Sequence, residues 1–358
     1  MRIKTIAVSN YRNIAFARLD VDKSRVFLVG RNGQGKTNLL EAIGYVTSLR
    51  AFRSRENETL IGPKEAQSEI VHEADHELYG ESRSQLRIKR KGKEVSLDGE
   101  KIRRASDFVG RFPTVTLSSE DLSIVRGSPG GRRRFVDTLL CGLDRGYYVA
   151  LQRYQKALQE RNALLKRSSD SSLLTVFEQQ MAEPALEIIE KRNVVLQEIA
   201  RLTIAYYEQL SGGQEAIGIT FRPSVQLESK EEYVEMLLKQ RKRDLILQST
   251  GKGPHRDDFD ITLSERSAAD FASDGQQRSI ALALAFATID CWRARFGVTP
   301  ALLVDDVLGE LDPERKERFW KALDDGIQLI ATGTELPRRA DLADWIVYRV
   351  EGGEFTRQ

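Results

Sequence analysis

Eight consecutive residues, Gly30-Arg31-Asn32-Gly33-Gln34-Gly35-Lys36-Thr37, carry the G-x-x-x-x-G-K-[ST] spacing of a phosphate-binding loop. Glycine at these places lets backbone N–H groups wrap phosphate oxygens, and a helix that starts in the loop adds its positive N-terminal end. In the stretch from Gly30 to Asn38, Lys36 is suited to neutralise the β and γ phosphates of a nucleotide and Thr37 to place its hydroxyl on Mg2+. A second chemical segment, Leu302-Leu303-Val304-Asp305-Asp306, is an apolar run ending in two carboxylates. Asp305 can hold Mg2+ directly or through water, and Asp306 can orient or deprotonate an attacking water. Lys36, Asp305 and Asp306 are therefore the candidate catalytic residues, with Thr37 and Asp305 as the metal ligands.

The loop alone does not separate GTPases, kinases and the several ATPase classes, so its partner motifs decide. Gly309-Glu310-Leu311-Asp312 resembles the D-loop that ABC-type ATPases place beside the Walker B strand. That family also has an LSGGQ element, which precedes a helix and reaches the γ-phosphate held by the other subunit. Leu210-Ser211-Gly212-Gly213-Gln214 spells the element letter for letter, yet it runs into a strand-like segment, 215–221. Ser273-Asp274-Gly275-Gln276-Gln277-Arg278 matches less well in letters but opens a strongly helical stretch, 279–295, directly before the Asp305 strand. Spacing outranks spelling, because a helix N-terminus with Ser and Gly ahead of it suits a phosphate. Ser273 to Arg278 is the expected signature, and Leu210 to Gln214 a turn.

These groups need elements to hold them. Val26 to Val29 is a continuously apolar run, as in a strand buried on both faces, and Leu39, Leu40, Ile43 and Val46 come next at helical spacing. Strand, glycine loop and helix is the context the phosphate motif requires. Upstream, Ile6 and Val8, then Ala15, Ala17, Leu19 and Val21, alternate as strands do. Segments between Ile70 and Val109 alternate and break at Gly92 and at Asp98-Gly99, which predicts antiparallel hairpins. After the turn cluster at 127–131 the periodicity is helical almost to Leu210, with a Ser-rich tip at 168–172. Strand-like patterning returns from about Ile217.

With 55 basic and 53 acidic side chains, the net charge is +2, so any nucleic-acid affinity must come from local patches. The longest mostly apolar run, 280–289, is too short to cross a bilayer. Met1, Arg2, Ile3 and Lys4 lead into alternation rather than an apolar run with a small-residue cleavage site, so export is not expected. Cys141 and Cys291 sit in apolar periodic segments as reduced thiols do, and with the three histidines they make no zinc spacing. A cytoplasmic protein is expected.

The chain as a whole resembles the RecF family of bacterial recombination-repair ATPases, itself similar to the head domains of SMC and Rad50 proteins. The resemblance rests on Ser9-Asn10-Tyr11-Arg12-Asn13, the loop 32–38, Ser118-Ser119-Glu120-Asp121-Leu122, Gly127-Ser128-Pro129, Arg132 to Arg134, and Gly253-Pro254-His255-Arg256-Asp257-Asp258, together with the signature and the Asp305-Asp306 strand. It implies an α/β fold: an ABC-type P-loop ATPase lobe, from 1–112 and 246–358, with an inserted mainly helical lobe at 113–245. It implies ATP and Mg2+ as cofactors and an ATP-dependent homodimer, each site completed by Ser273 and Gly275 of the opposite subunit. It further implies binding of double-stranded DNA near single-strand gaps, association with the nucleoid, and help to RecO and RecR in loading RecA.

Some positions depart from the family pattern. Asp306 stands where most ABC ATPases have glutamate, which predicts slow hydrolysis, and Asp274 brings negative charge to the signature. Thr332 or Thr334 must serve as the γ-phosphate switch, and Glu120 or Asp121 stands in for a Q-loop glutamine. Tyr11 and Arg12 are candidates for the adenine side. For DNA, basic residues including Arg87, Lys89, Arg90, Lys91 and Lys93 concentrate on the hairpins, equally readable as a solvated face, and Arg132 to Arg134 form a second cluster. A transporter energy subunit would share the motifs but needs a surface for membrane helices. An SMC/Rad50-type structural DNA tether would need a long coiled coil between the two Walker motifs.

Overall fold

The computed structural model describes residues 1–49, 56–167, 171–213, 215–336 and 345–358. The chain begins with strands β1 (Arg2–Tyr11), β2 (Ile14–Asp20) and β3 (Arg25–Val29), helix α1 (Lys36–Ser48), then strands β4 (Gln67–His76), β5 (Gly80–Lys89), β6 (Lys93–Leu97), β7 (Glu100–Lys101) and β8 (Thr114–Ser118). A helical stretch comes next: α2 (Ser123–Arg126), α3 (Pro129–Leu143), α4 (Arg145–Arg167) and α5 (Ser171–Ser211). After it lie β9 (Ile217–Arg222), α6 (Lys230–Leu247), β10 (Asp258–Leu263), β11 (Arg266–Ser267), α7 (Ala268–Phe271) and α8 (Asp274–Phe296). The chain ends with β12 (Ala301–Asp305), α9 (Pro313–Ala322), β13 (Leu329–Gly333), β14 (Trp345–Glu351) and β15 (Glu354–Arg357).

Two compact units emerge. One joins Met1–Leu122, Leu202–Glu215 and Ala272–Gln358; the other joins Ser123–Arg201 and Ala216–Phe271. The boundaries read from sequence at 112/113 and 245/246 fall elsewhere. Thr114–Ser118 is a strand paired in parallel with β12, which keeps it in the first unit, and β10 pairs with β9, which keeps residues beyond 245 in the second.

The first unit holds two sheets. Strand order β15-β14-β3-β13-β12-β8 defines one, in which β14, β3, β13, β12 and β8 are mutually parallel and β15 is an antiparallel edge. Its central strands are buried along nearly their whole length, as continuous apolar runs such as Leu302 to Val304 require when both faces are covered. The other sheet, β2-β1-β4-β5-β6-β7, pairs antiparallel throughout and alternates buried with exposed residues. Helix α1 packs against β1 on one side and against β8, β12 and β13 on the other, so Leu39, Ile43 and Val46 share a core with Ile6, Val8, Leu28 and Leu303. In β2 the inward residues are Ile14, Ala17 and Leu19; Ala15, expected inside, is exposed.

In the second unit the strands run β11-β10-β9. Arg161 is fully buried there, donating to Glu178, Asp244 and Thr250, and Arg192 binds Asp137 and Asp257. Removing one partner of such a pair would leave a buried charge, a cost of about 3–5 kcal/mol. The strand-like reading from Ile217 holds for β9 and again for β10 and β11, but between them 230–247 is helix α6. Ser229 caps it by accepting from the Glu232 N–H at 3.1 Å, an S-x-x-E signal present in the sequence. The Ser-rich tip read at 168–172 lies largely outside the described residues.

Candidate functional site: the phosphate loop and its carboxylates

Because β3, β13, β12 and β8 are parallel neighbours, their carboxyl ends share one edge, where α/β sheets bind ligands. That edge collects the loop after β3, Thr332 and Gly333 of β13, Asp305 of β12 and Ser118 of β8, the last two paired in register. Thr37 and Asp305, 268 positions apart in sequence, thus meet.

The loop is shaped by two close constraints. A side chain at Gly30 would place its Cβ 2.3 Å from the Val350 carbonyl oxygen, so only glycine fits. Gly35 caps α1 in the left-handed region, φ 114°, leaving the first N–H groups of the helix without a side-chain cap. The turn between β14 and β15 straps the loop, with the Gly352 N–H donating to Gln34 Oε1 (2.7 Å) and the Gly353 N–H to the Gln34 carbonyl (2.9 Å). Arg31, Asn32 and Gly33 form an exposed crest, and Asn38 donates to Asn13 Oδ1 at 2.7 Å. Lys36 is buried, its Nζ bonded to the carbonyls of Gly30 (2.7 Å) and Arg31 (3.1 Å).

Two hydroxyls converge on one oxygen: Thr37 Oγ1 and Thr332 Oγ1 donate to Asp305 Oδ1 at 3.0 and 2.8 Å. Both groups are hard oxygen donors, a hydroxyl and a carboxylate 3.0 Å apart, the kind of ligand magnesium takes, so Thr37 and Asp305 are the residues that would hold such an ion. Among the described residues no group of three or more His, Cys, Asp and Glu forms a metal site. Asp306 adopts φ 57°, rare outside glycine, and its N–H is held by Thr332 Oγ1 at 3.0 Å. Thr332 therefore joins both carboxylate residues, whereas Thr334 is exposed.

Of the two Q-loop candidates, Glu120 is exposed and Asp121 accepts from both the N–H (2.7 Å) and Oγ (2.9 Å) of Ser118. Burial pushes the Asp121 carboxyl up to about 6, against the pull of those hydrogen bonds. Tyr11 is wholly buried and gives its hydroxyl to Glu41 (3.0 Å), so its ring is unavailable for stacking on a base; Arg12 Nε holds the same Glu41 oxygen at 2.6 Å.

Ser273 is the N-cap of α8 in a reciprocal capping box with Gln276, and Ser273, Asp274, Gly275 and Gln276 lie at least partly open to solvent, while Gln277 is buried. Arg278 binds Glu310 of the D-loop at 2.7 Å. Leu311 is buried, and Asp312 caps α9 by accepting from the Arg315 N–H at 2.9 Å. A Cβ at Gly275 would come within 2.7 Å of the Arg315 guanidinium, the movable end of a long side chain. Leu210 and Ser211 end α5, and Gly212 and Gly213 turn away with positive φ; Gln214 lies outside the described residues.

The hairpin cations are engaged within the molecule. Arg87 binds Glu69 (2.8 Å), Lys89 binds Glu94 (3.0 Å), Arg90 lies 3.7 Å from Glu58, and Lys93 donates to the Leu49 carbonyl; Lys91 is exposed. In the second cluster Arg132 forks onto Asp258 at 2.7 and 2.9 Å, and Arg133 donates to the Asp257 carbonyl.

A P-loop at the carboxyl edge of a parallel sheet, with an acidic strand end beside it and the helix capped by Ser273 leading into that strand, defines an ABC-type ATPase head. The model of the RecF/RecN/SMC N-terminal domain family matches residues 2–335. Curated relatives named DNA replication and repair protein RecF include that of Crocosphaera subtropica, 31% identical over the whole of both chains, and that of Exiguobacterium sp., 36% identical over 94% of this chain and 93% of its own. A solved structure of the recombination mediator RecF with ATP superposes with a TM-score of 0.90 at 29% identity, covering 100% of this chain and 97% of that one. An Smc head bound to the C-terminal winged-helix domain of ScpA shares the fold, at TM-score 0.56 and 16% identity. The chain belongs to the RecF family.

Proposed function

We propose that this chain is an ATP-dependent DNA-binding mediator of recombinational repair. It closes into a homodimer on ATP, binds double-stranded DNA beside single-strand gaps, works with RecO and RecR to load RecA, and hydrolyses ATP slowly to reopen. The observation that carries the reading is the convergence of Thr37 and Thr332 on Asp305 beside buried Lys36, in a chain of this family. The relatives' role in replication and repair, and the RecF solved with ATP, favour the nucleotide and the pathway.

Thr37 and Asp305 would hold Mg2+, which supplies charge neutralisation at the β and γ phosphates. Lys36 adds a fixed cation, and loop N–H groups bind phosphate oxygens. Asp306 orients and deprotonates the attacking water, and its short side chain makes that step slow. Ser273 and Gly275 of a second copy cover the γ-phosphate, so nucleotide state sets the balance between open and closed forms. With Arg87 and Lys89 paired to carboxylates, DNA affinity there rests on exchanging those partners for phosphates, and it falls log-linearly with salt.

Sedimentation velocity with and without ATP and a gapped duplex tests this. Wild type is expected to shift to a dimer with ATP, and Ser273→Arg to remain monomeric. An ATP-dependent shift unchanged by Ser273→Arg would refute the shared site.

A further inference from the structure

The Leu210–Gln214 stretch copies a signature in letters, and the phosphate site gives it no role. Within the first unit, its described residues and their neighbours lie against the true signature helix. Tyr206 stacks on Phe286 of α8 with ring centroids 5.2 Å apart and gives its hydroxyl to Asp290 at 2.7 Å. Arg318 of α9 donates to the Leu210 carbonyl at 3.3 Å. The end of α5 is thereby fixed on α8 and α9, and the next described acidic residue, Glu215, reaches Gln276.

Glu215 uses both carboxylate oxygens. Oε2 accepts from the Tyr207 hydroxyl at 2.9 Å, and Oε1 accepts from the side-chain amide of Gln276. Gln276 Oε1 in turn accepts the Ser273 N–H at 2.6 Å, while Ser273 Oγ accepts the Gln276 N–H at 3.3 Å. A carboxylate can only accept, so the amide NH2 must face Glu215 and the amide oxygen must face Ser273. The bond to an ionised acceptor is also the stronger kind. Tyr207 is buried, and burial together with the carboxylate pushes its hydroxyl up, keeping it a donor.

We propose that Glu215 is a positioning residue for the signature. Anchored by Tyr207, it fixes which way the Gln276 amide points, which closes the capping box on Ser273. The Ser273 O–H and the N–H groups at the start of α8 are then aimed outward at a phosphate presented by a second copy of this chain. Without Glu215 the amide can turn over, present NH2 to the Ser273 N–H and open the cap. This rests on the shared-site reading of the proposed function.

The test is ATP-dependent self-association of full-length protein, measured by sedimentation, with ATP affinity measured separately by equilibrium dialysis at concentrations where the chain is monomeric. Glu215→Ala is expected to weaken association about tenfold, the scale of a lost cap, with monomer ATP affinity unchanged within about twofold. Glu215→Gln, which keeps an oxygen acceptor, is expected to restore most of the association. Tyr207→Phe, which keeps the ring, is expected to weaken it about threefold. Wild-type association in both Glu215→Ala and Tyr207→Phe, with Ser273→Arg monomeric, overturns the proposal and leaves the shared site standing. Equal loss in Glu215→Ala and Glu215→Gln with equal drops in melting temperature marks mere packing and overturns it too. If Ser273→Arg associates like wild type, the shared-site reading itself falls, and this proposal with it.

Discussion

Asp306 shows how much chemistry one residue's backbone can decide. Its left-handed φ and the N–H bond to Thr332 turn the chain at the end of β12 and set a short carboxylate just past the Asp305 that Thr37 and Thr332 share. Asp306→Asn keeps this geometry and removes the proposed base. It is expected to bind ATP as wild type does and to slow single-turnover hydrolysis by about a hundredfold or more, the scale of a lost general base. Hydrolysis at the wild-type rate would remove Asp306 from the water-activating role. That Lys36 and Thr37 open a helix after a buried strand, and that Asp305 and Asp306 end another, was readable from spacing alone. The grip of Thr332 on Asp305 was not, because 27 residues separate them in sequence and only the neighbouring of β12 with β13 joins them.

At the scale of elements, the loop is a product of β3, α1 and the β14–β15 turn together. Gly30 touches Val350 so closely that Gly30→Ala must push β14 away from β3. Overpacking of this kind costs about 1–3 kcal/mol, so the urea midpoint is expected to fall and ATP affinity with it. An unchanged midpoint would contradict the close approach. The α6 helix illustrates the opposite case: its Ser229–Glu232 cap was present in the letters, but few of its side chains are buried, and the apolar stripe that usually betrays a helix is weak. The two signature-like segments were separable by the element each one opens, a strand for Leu210–Gln214 and a helix for Ser273–Arg278. That they sit side by side was not legible, since it depends on α5 ending against α8.

Across the whole molecule, burial of histidine sets the response to acid. His72 in the first unit and His255 in the second are both lowered to about 4, chiefly by burial. The unfolded chain takes up these protons near pH 6.5 and the native one does not until about 4, so stability is full above the first value and falls as pH drops toward the second. Fully buried His72 alone is worth on the order of 3 kcal/mol over that window. Asp121 opposes this: raised to about 6, it loses stability as pH rises from about 4 to 6. Burial also lowers His76 and raises Asp257, so three imidazoles stand against two carboxyls, and the urea midpoint is expected to be lower at about pH 5 than at about pH 7. A midpoint that rises on acidification would contradict it.

The sequence by itself determined the phosphate loop, the acidic strand end, the helix cap at Ser273 and the α/β class. Each is a local matter of residue type and spacing, fixed by backbone sterics, capping and the side-chain periods of helix and strand. Tertiary structure alone decided which carboxylate partners the hairpin cations take, that Tyr11 is buried rather than offered to a base, where the two units divide, and that Glu215 reaches Gln276. Those outcomes depend on which strands and helices become neighbours. That choice is made by burying apolar surface over the whole chain, and no short window of sequence contains it.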